Sequence, residues 1–152
     1  MDRLDKKILR LLQEDATLAV ADVAKRVGLS TTPCWRRIQK LEEEGVIKRR
    51  VAILDPAKVN ARVTVFVSIR TKQHDAQWLE TFARAVDGLE EVIECHRMAG
   101  DIDYMLKLRV RDIADYDRIY QRLIARVPGL ADVTASFSME EMKYTTALPR
   151  PS

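Results

Sequence analysis

Apolar residues recur at three- and four-residue steps over the first third of the chain, and each such run predicts an amphipathic helix. Leu4, Ile8, Leu11 and Leu12 form the first run, which ends near Asp15, and Val20, Val23, Ala24 and Val27 form the second, stopped by Gly28. Ser30 stands in the N-cap position of a third helix, with Cys34, Ile38 and Leu41 on one stripe and Pro33 in the first turn, where a missing N–H costs nothing. Gly45 ends it after three glutamates, and the residues from Val46 to Pro56 read as a strand with the basic tip Lys48-Arg49-Arg50. The short corner between the second and third helices predicts a helix-turn-helix.

Pro56 biases Asp55 away from helix, so Asp55 to Asn60 reads as turn and linker. This divides the chain into domains 1–60 and 61–152. Beyond the linker the period changes to two. Val63, Val65, Val67 and Ile69 share one strand face, with Thr64, Phe66, Ser68 and Arg70 on the other. A helix follows with Trp78, Leu79, Phe82 and Val86 inward; then come strands over 92–99 and 104–110 joined by the turn Gly100-Asp101-Ile102-Asp103. A further helix carries Ile113, Tyr116, Tyr120, Leu123 and Val127 in register up to Pro128-Gly129, and Val133, Ala135, Phe137 and Met139 alternate in a last strand. The order βαββαβ is that of a ferredoxin-like domain, so the fold class is α+β, a winged helix-turn-helix domain followed by a ferredoxin-like one. The ending 148–152, rich in proline, is expected to fray.

Charge separates the halves: residues 1–60 carry 13 Lys and Arg against 9 Asp and Glu, the remainder 13 against 14. The amino-terminal half is therefore the one suited to a polyanion. On the third helix Thr31, Thr32, Arg36, Gln39 and Lys40 project away from the apolar stripe, with Trp35 and Arg37 on its flanks. Arg pairs bidentately with guanine, Gln with adenine, and Thr and Lys meet phosphate, so this face suits a major groove of double-stranded DNA. Any surface helix has a polar face, but the compact corner before it favours the DNA reading. Lys48, Arg49 and Arg50 are a solvated segment or a wing that grips the backbone; their place after such a helix favours the wing.

The ordered motifs Leu4-Asp5-Lys6-Lys7-Ile8-Leu9, Val27-Gly28-Leu29-Ser30, Thr32-Pro33-Cys34, Gly45-Val46-Ile47, Leu54-Asp55-Pro56, Gly100-Asp101-Ile102-Asp103-Tyr104 and Pro128-Gly129 with Met139-Glu140-Glu141 resemble the leucine-responsive regulator/AsnC family of prokaryotic transcription regulators. The resemblance spans nearly the whole chain. Within the family, Thr31 to Trp35 and Lys143-Tyr144-Thr145-Thr146 look most like the branch containing the cysteine-responsive regulator of cysteine detoxification. The resemblance implies a homodimer that assembles into tetramers or octamers, operator binding by the amino-terminal domain and an amino-acid effector held by the carboxy-terminal one. The effector positions it implies are Met98, Ala99, Gly100, Asp101, Asp103 and Tyr104, with Thr134 and Ser136 contributed by a neighbouring subunit. The chemistry fits a zwitterion, since Asp103 offers a carboxylate to an ammonium and a Gly turn offers N–H groups to a carboxylate. Ala19 departs from the family, which often has a Ser cap there.

Other functions have less behind them. His74 and His96 have no nucleophile constellation, Gly-rich phosphate loop or HExxH spacing around them, so an enzyme is not expected. Asp101 and Asp103 alone do not make the oxygen set of Mg²⁺ or Ca²⁺, and neither a metal nor a cofactor is expected. Cys34 lies on the packing stripe and reads as a small buried hydrophobe rather than a redox switch, and Cys95-His96 as strand residues. The two Cys lie in different domains, so no disulfide is expected. With no apolar stretch of membrane-spanning length or signal-peptide core, a cytoplasmic protein is expected. The remaining rival is an architectural protein that bends DNA without an effector.

Overall fold

The computed structural model describes residues 1–149. The chain forms two compact units: Met1–Ile53 together with the segment from Met142 onward, and Leu54–Glu141.

In the first unit α1 (Arg3–Glu14), α2 (Val20–Val27) and α3 (Thr31–Glu43) bury Ile8, Leu12, Val23, Ala24, Val27, Cys34, Ile38 and Leu41 together. Asp2 and Asp5 begin α1 with a capping box, each carboxylate accepting from the other's backbone amide. Gly28, at φ +77°, ends α2 in the left-handed conformation that lets the chain turn into α3 within three residues. Neither Ala19 nor Ser30 makes a side-chain cap bond, so Ser30 occupies the N-cap position without the hydrogen bond expected of it.

The strand expected from Val46 to Pro56 is not formed. No backbone amide from Lys48 to Leu54 donates to a backbone carbonyl among the described residues, and a segment without a ladder partner forms no strand. The tail also departs from expectation. Leu148 donates its amide to Gln13 Oε1 at 2.9 Å and accepts from Gln13 Nε2 at 3.1 Å, which ties the tail to α1. The fraying expected of 150–152 lies outside the described residues.

The second unit is a four-stranded antiparallel sheet, β1 (Val63–Thr71), β2 (Val92–Arg97), β3 (Tyr104–Val110) and β4 (Leu130–Phe137), in the order β2-β3-β1-β4. Two helices, α4 (Ala76–Asp87) and α5 (Ile113–Arg126), cover one face. Val65, Val67, Ile69, Leu106, Leu108 and Val110 meet Trp78, Phe82, Ile119 and Leu123 in the core. Three sequence expectations shift here. Leu79 and Ile113 are exposed, because Asp75 and Asp112 cap their helices and fix which side chains point at the sheet. Buried Ile119 takes the central place on α5. Met139 lies past the end of β4 and is almost fully exposed.

Candidate nucleic-acid interface and effector site

α3 turns Cys34, Ile38 and Leu41 inward, and burial pushes the Cys34 thiol up from its ordinary value, as suits a protonated small hydrophobe. On the other side Thr31, Thr32, Trp35, Arg36 and Lys40 are exposed and Gln39 is half-buried. Arg36, Lys48 and Arg49 have no ion pair or hydrogen bond with any described residue. Lys40 has only a 3.8 Å contact to Glu44 across one exposed helical turn, which a phosphate can replace.

Arg37 and Arg50 are differently engaged. The Arg37 guanidinium reaches Asp2 at 2.7 Å and Asp5 at 3.1 Å, pinning the start of α1 to α3. The capping amide of Asp5 and then this guanidinium hold the Asp2 carboxyl down to about 2. Arg50 reaches Glu42 at 3.1 Å and the Ala16 carbonyl at 3.4 Å. These contacts give both arginines an intramolecular task. The Asp2-x-x-Asp5 spacing was a legible cap signal, but its reach to Arg37, 35 residues away, was not.

In the second unit Met98 N donates to Asp103 O at 2.8 Å and closes a turn over Ala99 to Ile102, with Gly100 at φ +126°. The amides of Ala99, Gly100 and Asp101 have no described acceptor, and all three residues are exposed. Asp103 is anchored to β1: its amide donates to the Ile69 carbonyl and its Oδ2 accepts from the Thr71 amide, both at 2.9 Å. Its other oxygen and the Asp101 carboxylate are without a described partner. The loop thus offers amides to a carboxylate and an acceptor to an ammonium. Met98 is partly exposed beside it, whereas Tyr104 is a core residue, 4.6 Å from Phe82 and 5.8 Å from Trp78 between ring centroids. Thr134 and Ser136 are exposed on β4, with β1 between them and β3, so one chain does not bring them to its own loop.

A model of the Lrp/AsnC ligand binding domain matches residues 64–148, and a winged helix-turn-helix DNA-binding model matches residues 1–48. The chain belongs to the Lrp/AsnC family. This member is 53% identical over 99% of its length to the glutamate uptake regulatory protein of Zymomonas mobilis, covering 92% of that relative. It is 46% identical to the DNA-binding transcriptional activator DecR of Escherichia coli, over 98% of each. An AsnC family transcriptional regulator from Agrobacterium tumefaciens superposes with a TM-score of 0.94 at 64% identity, covering 98% of this chain and 97% of that one. A Neisseria meningitidis transcriptional regulator solved with L-Met superposes with a TM-score of 0.92 at 32% identity, over 98% and 96%. The Lrp/AsnC chain described here is a DNA-binding transcription regulator rather than an enzyme. Among its described residues no helix is long and apolar enough to cross a membrane.

Proposed function

We propose that this regulator reads operator DNA with Thr31, Thr32, Trp35, Arg36, Gln39 and Lys40, grips the flanking backbone with Lys48 and Arg49, and answers to a free α-amino acid at the Met98–Asp103 loop. The observation that carries the DNA half is Arg36, an exposed cation on α3 with no described partner. The effector half is supported by the unpaired amides of Ala99 to Asp101 beside Asp103, and by the L-Met held by the Neisseria relative. Arg37 and Arg50 support the domain rather than the DNA contact. Thr134 and Ser136 of a second copy complete the effector site.

That last step requires self-association. The sheet face away from the helices carries Phe66, 42% exposed, flanked by Ser68 and Met105, and a second copy of the same face covers it. Extended chain from Lys48 to Leu54, with its unused amides and exposed Val51 and Ile53, is a second surface for a partner copy. The protein works in the cytoplasm as a dimer or a tetramer or octamer built from it.

The test is a thermal-shift screen of the full chain against the common amino acids, L-glutamate, L-cysteine and L-methionine among them, beside Asp103→Asn. Asparagine keeps an acceptor for the Thr71 amide and removes only the charge. Stabilisation of the wild type by at least one amino acid, lost in Asp103→Asn, is the expected result. No shift with any amino acid would favour the architectural reading.

A further inference from the structure

Helix α1 separates its charges across its axis. Ile8 and Leu12 point into the core of the first unit, and the carboxylates of Asp2 and Asp5, on the flank beside α3, are taken by Arg37. At about 100° per residue, Arg3, Lys7 and Arg10 fall together on the side opposite Ile8 and Leu12, with Lys6 next to them. Arg3, Lys7 and Arg10 are exposed and Lys6 is half-buried. None of the four side chains has an ion pair or hydrogen bond with any described residue. Of the three acids from Asp2 to Glu14, only Glu14 shares this face, and it has no described contact with Arg10.

This arrangement costs the helix stability and returns no described contact. Arg3 with Lys7, and Lys6 with Arg10, are like charges one turn apart, which weakens a helix. Arg3 and Lys6 also stand near the positive end of the helix dipole, while the last turn, where a cation would be favoured, has no basic residue. The face suits a polyanion better than a protein. Leu9 and Leu11 pack against the core, so no large apolar side chain of α1 stands among the four cations, and a protein interface needs such an anchor whereas a phosphate contact needs only charge. From Arg3 to Arg10 the helix rises about 10 Å, a length over which one strand of duplex DNA presents about three phosphates.

We propose that Arg3, Lys7 and Arg10 of α1, supported by Lys6, form a second and sequence-independent DNA surface that holds the phosphate backbone of duplex flanking the operator. The proposal rests on α3 as the helix that reads the operator. Both helices bury their apolar stripes in one core, so their outward faces diverge, and a duplex no longer than the operator occupies α3 and leaves α1 empty. Flanking duplex reaches α1 by bending, a deformation that the added phosphate contacts offset. The surface therefore raises affinity with the length of the DNA and leaves the preferred sequence unchanged.

Two duplexes test it, both bearing the motif that the full chain selects from a random library: one of about 20 base pairs, enough for two half-sites a helical turn apart, and one about three times as long. Fluorescence anisotropy over a salt series compares the wild type with the combined variant Arg3→Gln, Lys7→Gln and Arg10→Gln, in which glutamine keeps the helix propensity. The two proteins bind the short duplex alike. On the long duplex the variant binds at least about tenfold more weakly, and its log–log salt slope is shallower by about 2 to 3, at roughly 0.9 per phosphate contact. Arg3→Lys combined with Arg10→Lys keeps the charge and binds the long duplex as the wild type does. The Tm of the glutamine variant holds or rises, because the like-charge neighbours are gone. A glutamine variant that matches the wild type on both duplexes overturns the α1 surface, as an acidic protein partner or a merely solvated face would, and leaves Arg36 and the operator reading standing. An equal loss on both lengths also overturns it, since α1 would then lie on the operator itself. Loss accompanied by early melting, or by a changed oligomeric state in light scattering, would make the row a structural or subunit contact and sink the proposal.

Discussion

Arg36 and Arg37 are adjacent on α3, and the structure predicts opposite consequences for their loss. Arg37→Ala removes the 2.7 Å and 3.1 Å contacts to Asp2 and Asp5, whose side chains are 55% and 18% exposed against 31% for Arg37. Contacts this open to solvent fall in the screened surface class, not that of a buried pair, and the capping box between Asp2 and Asp5 survives. A fall in Tm of about 2 to 4 °C is expected. Affinity for a bound duplex should change little, because the arginine is already engaged. Arg36→Ala breaks no described contact, so Tm should hold, while specific binding weakens about five- to 150-fold if the guanidinium reads a base. Thermal melts and fluorescence anisotropy, each over a series of salt concentrations, separate the two. An Arg37→Ala protein with unchanged Tm and lost DNA affinity would refute the reasoning, as would an Arg36→Ala protein that melts early and binds normally.

Other outcomes follow from particular contacts. Asp2, lowered from 3.8 to about 2, and Asp115, lowered by the Arg111 amide and then Arg118, both stabilise the fold when ionised. Their contribution is complete above the ordinary carboxylate value and is lost as pH falls through the depressed one, so acid should destabilise the protein between about pH 4 and 2. Asp2→Asn should flatten that loss in pH-dependent melts, and an unchanged slope would rule Asp2 out. Gln13→Ala should speed hydrogen exchange at the Leu148 amide without moving Tm measurably; equal protection would show that the tail is held elsewhere. Phe66→Glu should dissociate the proposed dimer in light scattering, and a dimer that persists in the variant would place the contact on another surface.

The elements were legible where burial has a simple period. β1 alternates Val63, Val65, Val67 and Ile69 with Thr64, Phe66, Ser68 and Arg70, and the sheet turns the first set to the core. Helix α3 likewise buries the stripe its spacing marks. What escaped depends on partners distant in sequence. Val46 to Pro56 carries Val46, Ile47, Val51 and Ile53, residues that favour a strand, but finds no ladder in one chain, and the Gln13 contact to Leu148 crosses 135 positions. In the candidate sites, periodicity told which side of α3 faces outward but not that Arg37 would be engaged by Asp2. Asp103 looked like a free carboxylate, whereas half of it is bound to the Thr71 amide. Tyr104 completes the Gly-Asp-x-Asp-Tyr motif by packing against Phe82 and Trp78, because a residue that starts β3 on the core side is turned away from solvent.

The measurement that bears most directly on the account is selection of duplexes from a random DNA library by the full chain, repeated in the presence of each common amino acid. One motif should be enriched, with half-sites related by two-fold symmetry, and at least one amino acid should change its occupancy. Failure to enrich any motif, or an enriched motif whose occupancy no amino acid alters, would contradict an effector-gated regulator.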